Sequence, residues 1–125
     1  PGDHGSTYGG NALTCAGAFA VVDYIVKNKI ADEVNSLSEH LKTGLESLKE
    51  KHKAIEEIRG MGLLIAVQFN ADISGDIVGQ CNQEGLLLNP VRPNAIRIMP
   101  PLTVSYSEID MAISKLDAAI GKITS

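Results

Sequence analysis

Two short stretches hold residues whose types and spacing suit chemistry. The first, HGSTYGGN (residues 4–11), sets a histidine, the hydroxyls of Ser6 and Thr7 and three glycines directly before a run that turns apolar. Backbone N–H groups and hydroxyls gathered at a helix start attract anions, so this loop suits a bound phosphate. It equally suits an ordinary turn into a helix, and spacing alone leaves both readings open. The second stretch, NAIRIMPPL (residues 94–102), places Arg97 between Ile96 and Ile98, just ahead of Pro100 and Pro101. Strand alternation turns Arg97 away from the face of the two isoleucines, and the prolines fix where the strand stops. A guanidinium held in this way offers a planar fork to a carboxylate. The alternative is an edge-strand arginine in a solvated ion pair.

Other polar residues give weaker signals. Arg59, in IRGMG, is flanked by glycines that are explained by backbone conformation or close approach, and it reads as structural. His40 and His52 fall on or just after a polar helix face and read as solvated, and His4 has no second ligand at metal spacing. Ser6 and Thr7 lack the histidine and acid that activate a nucleophile, so ligand contact fits them better than attack. The loop lacks the Gly-Lys-Ser/Thr ending of a nucleoside-triphosphate loop. Cys15 and Cys81 stand far apart in apolar surroundings, without the paired spacing of a zinc or redox site, and read as small buried packing residues.

The elements that must position these residues follow from periodicity. Leu13 to Val22 carries no charge and is rich in Ala and Gly, which predicts a helix packed closely on most sides, capped by Asn11 and fading near Lys27 to Lys29. Ile30, Val34, Leu37, Leu41, Leu45 and Leu48 form the stripe of an amphipathic second helix. Strands are expected over Ile55 to Arg59 and Leu63 to Phe69, with a glycine-marked bend between them. A helix over Ser74 to Glu84 ends at Gly85, and short strands follow over Leu86 to Leu88 and Ala95 to Met99, with Pro90 and Pro93 marking the turn. Ser105 and Glu108 make a capping box for a last helix, striped by Ile109, Ile113, Leu116 and Ile120 and ended by Gly121. This order predicts an α+β fold in which a small, largely antiparallel sheet carries helices on one face.

The whole chain sets limits on function. Its 125 residues suit one domain, and 44% hydrophobic with 21% charged residues is a globular balance. A net charge of −4 with scattered lysines and arginines argues against nucleic acid, and no segment reads as a membrane span or a secretory signal, so no membrane partner and a cytoplasmic location are expected. The opening on PGDHG, with no initiator Met, points to a piece of something longer.

PGDHGSTYGGN, IRGMGLLIAVQF, EGLLLNPVRPNAIRIMPPLTVS and the capped last helix agree in order and spacing with one family. The chain resembles the C-terminal part of the class III, pyridoxal-phosphate-dependent aminotransferases, with acetylornithine-type members nearest and ornithine-type next. The resemblance implies the small C-terminal domain of a fold-type I transferase over residues 30–125. A linking helix over 13–29 precedes it, and before that a glycine-rich loop over 1–12 is left from the large cofactor domain. It implies that Ser6 and Thr7 reach across a homodimer interface to the cofactor phosphate of the other subunit, Thr7 being the main donor. It also implies that Arg97 grips the α-carboxylate of the amino-acid or keto-acid substrate. The implied reaction moves an amino group from N-acetylornithine, or ornithine, to 2-oxoglutarate in arginine biosynthesis.

Two departures from the family stand out. Ala12 occupies a position where the family usually has proline, which loosens a helix start without touching chemistry. The family's Schiff-base lysine, the aspartate that pairs with the pyridine nitrogen and the aromatic that covers the ring would all lie upstream of Pro1. No catalytic residue is therefore assigned within the chain, and these residues alone are expected to be inactive. The competing reading is a stand-alone binding or regulatory module that keeps the small-domain fold without the chemistry.

Overall fold

A computed structural model describes residues 2–124, so Pro1, the first residue of the expected opening loop, lies outside the described residues. The chain divides into two compact units between Asp32 and Glu33, inside its second helix. The first unit holds the glycine-rich loop and α1 (Ala12–Lys27). Asn11 caps α1 as expected, its Oδ1 accepting the Thr14 N–H at 3.0 Å. Asn28 closes the helix, and Lys29, at φ +50, separates it from α2 (Ile30–Lys51). One expectation is overturned: α1 has no buried residue, and Leu13, Phe19, Val22 and Val26 are all exposed, as is Cys15, contrary to its expected burial. The unit has no second element large enough to cover an apolar helix on every side.

The second unit contains the sheet. β1 (Ile55–Met61) and β2 (Leu64–Phe69) form a hairpin, α3 (Ser74–Gln83) follows, then β3 (Asn89–Arg92), β4 (Ala95–Ile98) and α4 (Tyr106–Thr124). All pairings are antiparallel in the order β1-β2-β4-β3. Alternation sorts the side chains: Ile65, Val67 and Phe69 of β2 and Ile96 and Ile98 of β4 are buried on one face. Against them pack Leu37, Leu41, Leu45 and Leu48 of α2, Ile77 and Cys81 of α3, and Ile109, Leu116 and Ile120 of α4. At roughly 1.5–3 kcal/mol for each large side chain withdrawn from water, this single core is the main stabilising term. The opposite face of the sheet has no helix on it from this unit and presents Arg59, Ala66, Gln68 and Arg97.

Two glycines make the hairpin possible. Gly62, at φ +56, takes the first position of the two-residue loop, where a type II′ turn requires glycine. Gly60 sits at φ +150, and a Cβ there would lie 2.1 Å from the Leu64 carbonyl oxygen. The end of α3 follows the sequence expectation: Gly85, at φ +74, lets its own N–H reach the Asn82 carbonyl at 3.1 Å and the Leu86 N–H reach the Cys81 carbonyl at 2.8 Å. That is the Schellman pattern. Burial meanwhile pushes the Cys81 thiol up to about 11, which suits a packing residue.

Three local expectations are corrected. The strand before β4 runs over Asn89–Arg92, not Leu86 to Leu88, because the chain leaving the Schellman turn sends Leu86 and Leu88 against the core before it reaches the sheet. Pro90 is tolerated since β3 is an edge strand with a register shift beside that proline. Helix α4 runs past Gly121 to Thr124, the interior glycine costing only about 1 kcal/mol in propensity. His52 is not solvated: its side chain is 10% exposed and its Nε2 meets Asp117 Oδ1 at 2.5 Å, while Lys51 donates to Asp117 Oδ2 at 2.6 Å. Together with His40 and Asp110 at 2.6 Å, these pairs tie α2 to α4. The capping box forms as expected, with the Ser105 N–H donating to Glu108 Oε2 at 2.8 Å and the Glu108 N–H to Ser105 Oγ at 3.3 Å.

Gly60→Ala is expected to destabilise the fold by at least about 3 kcal/mol in urea unfolding, through strained backbone and the clash with Leu64. The Asp117 carboxyl is held below its usual range, first by the Lys51 hydrogen bond and then by His52. A depressed carboxyl stabilises the fold above its unfolded pKa, and that contribution vanishes as pH falls through the folded one. Asp117→Asn should therefore cost about 1–2 kcal/mol near neutrality and flatten the acid limb of stability against pH, which wild type should keep.

Candidate functional site

Arg97 is placed by the register of three strands. Arg59 of β1 is paired with Ala66 of β2, and Ala66 with Arg97 of β4. The three side chains form one row across the open face, with the smallest in the middle. Because Ala66 ends at its Cβ, both guanidinium-bearing side chains border the same cleft of about 380 Å³, walled by Met61, Leu64, Ile65 and Val91. The row has a second member that sequence reasoning set aside as structural, Arg59. The signal for it lay in pairing between strands seven and more residues apart, which periodicity within one strand does not contain.

The two arginines differ electrostatically. Arg59 Nη1 donates to Glu57 Oε2 and to Gln68 Oε1, each at 2.7 Å, and Gln68 Nε2 donates on to Glu56 Oε2 at 2.9 Å. The Arg97 side chain is half-buried, and its guanidinium has no hydrogen-bond or ion-pair partner among the described residues. A guanidinium partly withdrawn from water and left unpaired lacks the anion that would compensate its desolvation. Apolar walls around it strengthen any charge-assisted bond it makes. Its backbone is fixed by Ile96 and Ile98, both buried in the core beneath.

Ser6 and Thr7 lie in the first unit and are exposed. Ser6 Oγ accepts the Gly9 N–H at 3.0 Å, and Asn11 Nδ2 donates to the Tyr8 carbonyl at 3.0 Å, so residues 6–11 form a knitted turn into α1. Having accepted, the Ser6 hydroxyl still has its own proton to give, and the Thr7 hydroxyl has no partner among the described residues. A Cβ added at Gly5 or Gly10 would meet nothing within 4 Å, which leaves the loop open to a ligand. No acidic residue occupies the first turn of α1, so its positive end is not neutralised. This donor set fits a phosphate. No lysine among the described residues is buried, and Lys27, Lys51 and Lys122 are in ion pairs.

Another groove, about 340 Å³ and lined by Leu41, Leu86, Leu88, Ile109 and Leu116, has Glu108 as its one charged residue. That carboxylate is already engaged at the cap of α4, which holds it below the usual range. The groove brings together no polar set, and no group of His, Cys, Asp or Glu among the described residues suits a metal ion. Nor is any helix among them long and apolar enough to cross a membrane.

Comparison with known proteins gives this geometry its context. The model of the family "Aminotransferase class-III" matches residues 1–120. An acetylornithine aminotransferase of Clostridium acetobutylicum is 46% identical over 121 residues, covering 96% of this chain and 31% of its own length. That of Caldanaerobacter subterraneus subsp. tengcongensis is 40% identical over 123 residues, 98% of this chain and 31% of the relative. Among solved structures, acetylornithine aminotransferase from Elizabethkingia anophelis superposes with a TM-score of 0.87 at 32% identity, over 98% of this chain and 31% of that one. Ornithine delta-aminotransferase from Plasmodium falciparum does so with a TM-score of 0.86 at 28% identity, again over 98% and 31%. The chain thus spans about a third of the length of the relatives it matches. Enzymes of this class depend on pyridoxal phosphate, whose phosphate is the kind of group the loop around Thr7 suits. On this match, and on a fold shared with its solved members, the chain belongs to the class III aminotransferases.

Proposed function

We propose that these residues are the C-terminal part of a pyridoxal-phosphate-dependent aminotransferase, a cytoplasmic homodimer, that moves an amino group from N-acetylornithine or ornithine to 2-oxoglutarate in arginine biosynthesis. In this reading residues 1–12 end the cofactor domain, 13–29 link it to the small domain, and 30–125 form that domain. The observation that carries the proposal is the unpaired, half-buried guanidinium of Arg97 in a chain that matches the family model over residues 1–120.

Each residue has a definite task. Pyridoxal phosphate, when bound, would supply an electron sink for the negative charge that develops at the substrate carbon bearing the transferred amino group. Thr7 and Ser6 donate their hydroxyl protons to its phosphate, and the open glycine loop lets backbone approach it. Arg97 takes the substrate α-carboxylate in a two-pronged grip, which fixes the carbon next to that carboxylate in position and orientation. The grip bears directly on the half-reaction of 2-oxoglutarate, whose keto carbon is next to that carboxylate; N-acetylornithine has its α-nitrogen acylated and gives its δ-amino group, so its own carboxylate stands remote from the reacting carbon. The reactive amine is proposed to lie outside these residues, which alone should not transaminate.

The test is kinetic, in the full-length enzyme. Arg97→Gln should lower kcat/KM for 2-oxoglutarate by about ten- to a hundred-fold, the worth of a charge-assisted pair. Arg97→Lys should recover only part, since an ammonium cannot reproduce the planar fork. An unchanged KM for 2-oxoglutarate in Arg97→Gln would refute the assignment.

A further inference from the structure

The open sheet face raises a question of charge. Glu56, Glu57, Arg59, Gln68 and Arg97 all belong to its three paired strands, yet Arg97 alone among them has no side-chain partner among the described residues. Glu57 is paired with Gln68, one step along the strand from the row that holds Arg59, Ala66 and Arg97. Strand spacing and rise put the Cα atoms of Glu57 and Arg97 about 12 Å apart on one face. Two long side chains span that distance across Ala66. Glu57 is 53% exposed and free to change rotamer, so its carboxylate is a built-in competitor for the guanidinium that a substrate carboxylate needs.

Resting on the function proposed above, we infer that Arg59 is a positioning residue: it keeps Arg97 available for substrate by holding the Glu57 carboxylate on its own side of Ala66. Two contacts make the hold directional. Arg59 Nη1 donates to Glu57 and to Gln68 together, and Gln68 is in turn fixed by its bond to Glu56. The carboxylates of the hairpin are thereby drawn toward the β1 side. Arg59 needs no contact with the substrate to act in this way, and the arrangement accounts for two arginines bordering one cleft with only one of them paired.

The test is a set of variants in the full-length enzyme, with 2-oxoglutarate as probe, its dissociation constant read by titration calorimetry beside kcat and KM. Arg59→Gln should raise the dissociation constant and KM about two- to five-fold, the size of one exposed ion pair competing for Arg97, with kcat unchanged. Glu57→Gln combined with Arg59→Gln should restore wild-type values, because the competitor is gone. Arg59→Lys should also restore them, because an ammonium still pairs with Glu57. A merely structural arginine would give no rescue by Glu57→Gln. Unaltered binding in Arg59→Gln, or a double variant as weak as the single one, would overturn the inference. Arg97→Gln serves as the control for the underlying reading: if it leaves 2-oxoglutarate binding unchanged, the functional assignment itself fails.

Discussion

The antiparallel pairing of β2 with β4 is the constraint on which the rest depends. It sets Ala66 opposite Arg97 and Val67 opposite Ile96. One residue of slip would turn Arg97 into the core and Ile96 and Ile98 into the cleft, so the hydrophobic effect that buries the isoleucines also fixes the outward guanidinium. Binding geometry and core packing are two faces of one register. The hairpin that supplies β2 needs glycine at Gly60 and Gly62, which places backbone conformation upstream of everything the cleft can do.

The helical layer protects that register from below. α2, α3 and α4 cover only the isoleucine face, and the His52–Asp117–Lys51 cluster with the His40–Asp110 pair joins the two long helices at separate points. The other face carries Arg59, Ala66, Gln68 and Arg97 together with the exposed apolar side chains of Met61, Leu64 and Val91. This asymmetric sheet supplies a platform with one unpaired, half-buried charge bordering an open cleft. The glycine-rich loop offers hydroxyls and backbone.

Much of this was legible in the sequence where the cause is local. The Asn11 cap, the Ser105 and Glu108 box, the Gly85 turn and the leucine stripe of α2 each depend on residues within one or two helical turns, and each formed as the pattern predicts. The outward face of Arg97 followed from alternation alone. What sequence did not reveal is non-local. His52 finds Asp117 65 residues away, and Arg59 joins the row of Arg97 only through two strand pairings. The prolines misled for a related reason: Pro90 breaks a central strand but not an edge, and only the assembled strand order tells which applies. The apolar pattern of α1 predicted burial that this chain does not itself provide.

The central claim is that the unpaired fork of Arg97 receives a substrate carboxylate on the open face of the sheet. A crystal structure of the full-length enzyme with 2-oxoglutarate bound tests it most directly. The account predicts a carboxylate of the ligand on Arg97 with two N–H···O contacts at about 2.7–2.9 Å, Glu57 remaining on Arg59. Ligand bound with Arg97 turned to another protein group, or with its carboxylates held only by other residues, would contradict it.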